Sequence, residues 1–210
     1  MIRVCIADDH AVVRAGIKLL LSDTTDLLLA GEASDVQETL DLVATQRCDV
    51  VLLDVSLPGR DGLEALTCLK QTHPTLPVLM FSVHPEYQYA VRAMQSGAAG
   101  YLTKDSDPEE LVTALRQVGH GEYYITPTVA RHLAVAVHSD VTKPLHETLT
   151  NREYQVLRQL AAGKSVNDTA RQLYLSPKTV STYRRRILHK LRLKTTAELI
   201  HYAISQRLVD

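Results

Sequence analysis

The first ~120 residues carry five short apolar runs, at 2–7, 27–33, 50–53, 78–81 and 100–102. They are apolar throughout rather than alternating, the pattern of strands covered on both faces. Longer segments of mixed polarity fill the gaps and predict helices at about 11–22, 35–46, 61–72, 86–96 and 107–118. Five strand–helix alternations predict a doubly wound α/β domain built on a five-stranded parallel sheet. Pro58, Gly59 and Gly62 mark the third strand-to-helix loop, and Ser106-Asp107-Pro108-Glu109-Glu110 reads as a helix start, with proline early and acids in the first turn.

Beyond residue 120 the pattern changes. Gly119, Gly121, Pro127 and Pro144 interrupt it, and the Ala/Val/Leu-rich stretch from Thr128 to Val137 reads as one short helix. Residues 121–146 are therefore expected to be an interdomain linker with a helical segment. From Thr150 the chain is helical, with helices at about 150–162, 166–173, 177–191 and 195–206. Gly163 closes the first, and Ser176-Pro177 opens the third as an N-cap and first-turn pair. The short turn Tyr174-Leu175-Ser176 joins two of these helices into a helix-turn-helix within an all-α four-helix domain, residues 147–210.

Charge separates the two parts. Residues 1–125 hold 9 Lys and Arg against 18 Asp and Glu, a net of −9, whereas residues 145–210 hold 12 against 5, a net of +7. An acidic first domain followed by a basic last one is the pattern of a chain whose last domain alone meets nucleic acid. The helix after the turn carries Lys178, Arg184, Arg185, Arg186, His189 and Lys190, and a capped basic helix suits the DNA major groove. A merely solvated basic face is the alternative. Hydrophobic content of 45% supports real cores. Cys5, Cys48 and Cys68 lack CxxC spacing and are expected as buried free thiols. No signal-peptide pattern or run of about 20 apolar residues is seen, so a soluble cytoplasmic protein with no membrane partner is expected.

The chemistry-bearing residues stand at strand ends. Asp8 and Asp9 follow the first run, Asp54 the third and Lys104 the fifth. Ligands of parallel sheets gather at the carboxyl ends of strands, so folding is expected to bring three carboxylates and one ammonium together. Clustered carboxylates call for a divalent cation, and all-oxygen ligation suits Mg2+. The adjacent lysine points to an incoming phosphoryl group. Three unrelated strand-end turns are the alternative, since Asp is common there.

These residues, with the surrounding Asp-Asp-His at 8–10, the run from Leu53 to Gly59, Ser82, and the run from Gly100 to Lys104, resemble the receiver of a two-component response regulator. Leu149 to Glu153, Ala161 to Ser165, Leu175 to Val180 and Lys190-Leu191 resemble the LuxR-type DNA-binding half of the NarL/FixJ class. The resemblance covers nearly the whole chain and implies a receiver at 1–120. It implies that Asp54 accepts a phosphoryl group from a sensor histidine kinase or phosphotransfer protein. Asp9, Asp54 and the Ser56 carbonyl would ligate Mg2+, and Asp8 would hold it through water. Lys104 and Ser82 would meet the phosphoryl oxygens, and Tyr101 matches the switch aromatic that turns inward as Ser82 moves. In the last domain Ser181, Thr182 and Arg185 would reach base edges of double-stranded DNA. Lys178, Thr179, Arg184 and Lys190 would meet phosphates, and Tyr183 would do either or pack. Several positions depart from the commonest pattern. Ser82 replaces Thr, His84 is bulky beside the site, Tyr183 stands where His is frequent, and Val166-Asn167 replaces Asn-Lys. Thr169 stands where Ile usually packs and is expected to weaken the small core.

The implied function is a transcription regulator whose phosphorylation controls homodimerisation and sequence-specific DNA binding, with RNA polymerase a further candidate partner. Val12, Val13, the 107–118 helix and the last helix (Ala197, Leu199, Ile200, Ala203, Ile204) are candidate dimer contacts. A phosphatase turning over on Asp54 is disfavoured, because Ser56 stands where a second acid/base carboxylate would be needed. Self-phosphorylation and self-dephosphorylation are the only catalysis expected. A constitutive DNA binder with a vestigial receiver is disfavoured by the intact Asp8, Asp9, Asp54, Ser82 and Lys104. His84 is expected near the acceptor; an inconsequential exposed loop residue is the alternative.

Overall fold

The computed structural model describes residues 1–58, 62–138, 144–206 and 208–209. Two compact units result, Met1–His138 and Ser139–Asp210. In the first, five strands form one parallel sheet in the order β2-β1-β3-β4-β5. The strands are β1 Ile2–Ala7, β2 Leu27–Ala33, β3 Val50–Leu53, β4 Val78–Ser82 and β5 Gly100–Thr103. Helices α1 Ala11–Ser22, α2 Val36–Thr45, α3 Gly62–Thr72, α4 Glu86–Gln95 and α5 Pro108–Gly119 alternate with them. Strands β3 and β4 are buried along their whole length, as their unbroken apolar character requires. One core cluster gathers Ile6, Leu52, Leu79, Leu102 and Leu115.

The strand order reverses beside β1, and register does the rest. Ala7 pairs with Leu53, so Asp8 and Asp54 leave the sheet side by side, and Asp54 N–H donates to the Ala7 carbonyl at 2.8 Å. Ser82 pairs with Thr103, and Lys104 N–H donates to the Ser82 carbonyl at 2.8 Å. Gly62 opens α3 directly against the Asp54 loop. A Cβ there would lie 1.9 Å from the Asp54 carbonyl oxygen, so any side chain displaces the loop. Gly59, Arg60 and Asp61 lie outside the described residues.

The segment expected to be linker is partly built into this unit. Helix α6, Pro127–His138, packs on α4, and Tyr124 forms a bridge with Gly100, where a Cβ would sit 2.8 Å from the Tyr124 carbonyl oxygen. Thr126 Oγ1 donates to Glu86 at 2.8 Å, and Tyr124 OH donates to Glu110 at 2.7 Å. The first compact unit thus runs past residue 120, because these side chains anchor the segment to α4 and α5.

The second unit holds α7 Asn151–Ala161, α8 Val166–Gln172, α9 Pro177–Lys190 and α10 Thr196–Ser205, preceded by a 3-10 turn at Leu145–Thr148. Each helix has a side-chain N-cap: Thr150 in a full capping box with Glu153, then Ser165, Ser176 and Thr195. Leu157, Val180, Ile187 and Leu199 form its buried centre. Of the cysteines, all free, Cys5 is buried, while Cys48 and Cys68 are only half-buried. The expectation of three buried thiols thus holds for one. Cys48 stands before β3 begins and Cys68 on the outer part of α3.

Candidate functional site

Asp8 and Asp54 are each 2% exposed at the carboxyl ends of β1 and β3. Lys104 Nζ bridges them, 2.5 Å from Asp8 Oδ2 and 2.7 Å from Asp54 Oδ2. Burial pushes the Asp54 carboxyl above its ordinary range, against the pull of the Lys104 ammonium. Burial would also neutralise Lys104, but the two carboxylates outweigh it and hold the ammonium charged. The other Asp54 oxygen accepts the Ser56 N–H at 3.1 Å. A ligand atom from each of Asp8, Asp9, His10 and Asp54 lies within 4.8 Å of the others. His10 Nδ1 approaches Asp9 Oδ1 to 2.6 Å but out of line for a hydrogen bond. This buried oxygen has a close neighbour and no donor, as a cation ligand would. The donor set therefore fits a divalent metal ion.

Beside this pocket, the end of β4 and the loop after it form a polar chain. Ser82 Oγ, fully buried, accepts the His84 N–H at 3.3 Å, and the His84 Nε2 lies 3.2 Å from Ser56 Oγ. Tyr101 is fully buried and its hydroxyl donates to the His84 carbonyl at 2.8 Å. Burial pushes its phenol well above the ordinary value. The His84 ring also stacks obliquely on Tyr89, centroids 4.9 Å apart. His84 thus lies among the site residues rather than loose in solvent.

Helix α9 exposes Lys178, Ser181, Arg184, Arg185 and Arg186, while Thr179, Thr182 and Tyr183 are half-buried. Thr182 Oγ1 donates to the Lys178 carbonyl at 3.0 Å. A shallow concavity of about 630 Å³ runs along Lys178, Ser181, Arg185, His189 and Lys194. The turn before α9 is tight, with Tyr174 at φ 53°. Lys190, expected at a phosphate, is engaged within its own domain. Its ammonium sits 2.6 Å from Glu153 Oε2 and 3.3 Å from the Thr148 carbonyl.

Two family models match, the response regulator receiver domain over residues 4–116 and the bacterial regulatory proteins of the luxR family over residues 147–203. The response regulator UvrY of Escherichia coli K12 is 39% identical over 211 residues, covering all of this chain and 97% of that protein. The response regulator GacA of Pseudomonas aeruginosa is also 39% identical, covering 100% and 99%. The chain belongs to the response regulators, with a receiver and a LuxR-type DNA-binding domain. Among solved structures it is similar to the RcsB response regulator of Salmonella typhimurium, in a study of DNA interaction by that protein. The identity is 25%, the TM-score 0.63, and the coverage 97% of this chain and 100% of that one.

Two residues of this response regulator have structural roles that the sequence alone did not reveal. Arg152, buried, donates to Gln155 at 2.8 Å and to the Leu173 carbonyl at 2.6 Å, fixing the end of α8. Glu153 caps α7 at Thr150 N–H and holds Lys190, fixing the end of α9. Both sit in the quoted Leu149–Glu153 run, and only folding reveals their distant partners. Ile204 and Ala197 of α10 are exposed, whereas Leu199 and Ala203 are consumed by the domain's own core. On α1, Val12 (85% exposed) and Leu19 (67%) line an open apolar face with Ala15 and Gly16, while Val13 packs on the core. No described helix is long and apolar enough to cross a membrane.

Proposed function

We propose that this response regulator accepts a phosphoryl group on Asp54 from phosphohistidine of a sensor histidine kinase or phosphotransfer protein, and that the modified chain dimerises and binds double-stranded DNA to regulate transcription. The observation that carries this reading is the Lys104 bridge between two buried carboxylates at adjacent strand ends. An Asp54 carboxylate oxygen attacks phosphorus as the P–N bond breaks and the imidazole leaves. Lys104 neutralises the phosphoryl oxygens, and Ser82 donates its hydroxyl to one of them. Asp9, Asp54 and the Ser56 carbonyl would hold Mg2+, with Asp8 acting through water. When bound, the ion offsets the negative charge shared by carboxylates and phosphoryl group. The chemistry is confined to this transfer and its hydrolysis, so the chain is a regulator rather than a turnover enzyme.

The receiver spans 1–120 in this reading, 121–146 joins it to the DNA-binding domain at 147–210, and α6 travels with the receiver. In the last domain Ser181, Thr182 and Arg185 read base edges. Lys178, Thr179, Arg184 and Arg186 serve phosphates, and Tyr183 serves either or packs. Lys190 spends two of its three N–H donors on Glu153 and Thr148, leaving one for a phosphate. The open faces of α1 and α10, with α5 beside α1, are the dimer contacts, and two linked recognition helices supply the affinity one lacks. RNA polymerase is a further partner, and the setting is cytoplasmic.

Incubation with a small-molecule phosphodonor and Mg2+, followed by intact mass and sedimentation, tests the reading. The expected result is one added phosphoryl group and a shift from monomer to dimer, both absent in Asp54→Asn. Modification of Asp54→Asn at the wild-type rate refutes the acceptor, and a phosphorylated monomer refutes the dimer mechanism.

A further inference from the structure

We infer, on the reading of Asp9 and Asp54 as Mg2+ ligands, that Arg14 is a positioning residue for the receiver pocket. Clamped by Glu32, its guanidinium fixes the Asp8–Asp9 peptide and so aims the Asp9 carboxylate. Arg14 lies near the start of α1, and its Nη1 donates to the Asp8 carbonyl at 2.7 Å. The Asp8 N–H donates to the Ala33 carbonyl at 3.1 Å, at the end of β2. The sheet therefore holds one backbone group of Asp8, and the Arg14 side chain holds the other. The carbonyl matters more to the pocket, because it belongs to the planar peptide that leads into Asp9. Turning that plane turns the Asp9 side chain with it. The Asp8 carboxylate has its own anchors, the His10 N–H at 2.9 Å and Lys104 at 2.5 Å. Asp9 Oδ1 accepts no hydrogen bond, and its neighbour there is the mostly exposed His10 ring. The direction of Asp9 thus depends on its backbone. Arg14 is itself anchored, since Nε donates to Glu32 Oε2 at 3.2 Å. Glu32 stands opposite Ile6 in the β1–β2 ladder, and its other oxygen accepts Lys18 Nζ at 2.8 Å. Lys18 and then Arg14 hold the Glu32 carboxyl below the ordinary range, so it is charged at neutral pH. A planar fork can make the Nε and Nη1 bonds together, which an ammonium cannot do. The sign of the effect separates positioning from charge. A guanidinium beside a cation site repels the ion, so by charge alone its removal tightens binding. By positioning, its removal weakens binding.

The test uses the full-length chain, unphosphorylated, with Mg2+ affinity read by its competition against Mn2+ as a spin-resonance probe. Arg14→Gln is expected to weaken Mg2+ binding roughly tenfold, as disturbing a group behind a metal ligand does. Glu32→Gln is expected to weaken it less, and to add nothing in the Arg14→Gln background, because Glu32 acts through Arg14. Lys18→Gln, which touches Glu32 but not Asp8, is expected not to weaken it. With a small-molecule phosphodonor, Arg14→Gln is expected to raise the Mg2+ concentration for half-maximal phosphorylation and to keep the rate at saturating Mg2+. A merely structural role lowers the melting temperature without moving either Mg2+ constant. Melts in the presence of a chelator establish that each variant is folded. Arg14→Lys keeps the charge and loses the fork, and carries the test if the Gln variant fails to fold; it too is expected to weaken binding. Unchanged or tighter Mg2+ binding in a folded Arg14 variant overturns the inference, as does a Glu32→Gln loss that persists without Arg14. Mg2+ binding indifferent to Asp9→Asn and to Asp54→Asn fails the ligand reading itself.

Discussion

Thr169→Val is expected to make the DNA-binding domain more stable. Thr169 lies in α8, fully buried, and its Oγ1 has no hydrogen-bond partner. Its backbone is satisfied, with N–H on the Ser165 carbonyl at 2.9 Å and its own carbonyl accepting Leu173 N–H at 3.0 Å. The hydroxyl alone is stranded, and a buried unsatisfied group costs about 1–3 kcal/mol. Val keeps the β-branch, the shape and a similar helix preference, and replaces only that hydroxyl. The gain per kcal/mol in a domain of 60–100 residues is about 4–8 °C in Tm. A rise of roughly 4 °C or more is therefore expected in the transition of the Ser139–Asp210 unit. Calorimetry of the full chain measures it, and operator DNA, which stabilises only the state that binds it, identifies which transition belongs to this domain. Thr169→Ser is the control. It keeps the stranded hydroxyl, loses a methyl from a packed site, and is expected to destabilise. A Val variant that is neutral or less stable, beside a harmless Ser variant, refutes the reasoning, because the hydroxyl is then bonded and the methyl is the dispensable part.

Four further outcomes follow from other residues. His84→Ala, which deletes the ring beside Ser56 Oγ, is expected to change the acyl-phosphate lifetime at Asp54 without altering DNA contacts; equal dephosphorylation rates in both proteins contradict it. Arg185→Ala is expected to change preference among operator variants by about 1–3 kcal/mol at one position. Lys190→Ala is expected to weaken every sequence alike and also to lower the domain's Tm by freeing Glu153; binding curves across operators with thermal melts separate the two. Burial pushes the Glu153 carboxyl up, but Lys190 and the Thr150 N–H outweigh it and hold it below the ordinary range. A carboxyl lowered in the folded state stabilises fully above its unfolded value of about 4.3 and loses that contribution as pH falls through the folded one. Acid melts of the wild type and Glu153→Gln are expected to converge below that window; parallel profiles across it contradict the assignment.

What was legible in the sequence depended on local repetition. The strands and helices read directly, within a residue or two at their ends, because apolar runs and N-cap residues are local signals. The pocket was legible for a topological reason: Asp8, Asp54 and Lys104 each follow a strand, and parallel register carries strand ends to one edge. Pairings set by tertiary approach were not legible. Ser56 meets His84 and Glu153 meets Lys190 across 28 and 37 positions, and nothing in either neighbourhood announces the partner. The Thr169 substitution was visible as a polar residue at an apolar position, but its stranded oxygen became apparent only with the surrounding side chains. The contacts of the expected linker were hidden for a related reason. Glycines and prolines correctly marked its breaks, yet they carry no information about Thr126 reaching Glu86. That last contact joins the two kinds of observation. Ser82, His84 and Glu86 lie within five residues on one loop and helix start. Ser82 bonds the His84 N–H, the His84 ring reaches Ser56 beside Asp54, and Glu86 holds the residue preceding α6. The segment leading out of the receiver is therefore fastened to the same short stretch that, in the proposed function, a phosphoryl group on Asp54 would crowd.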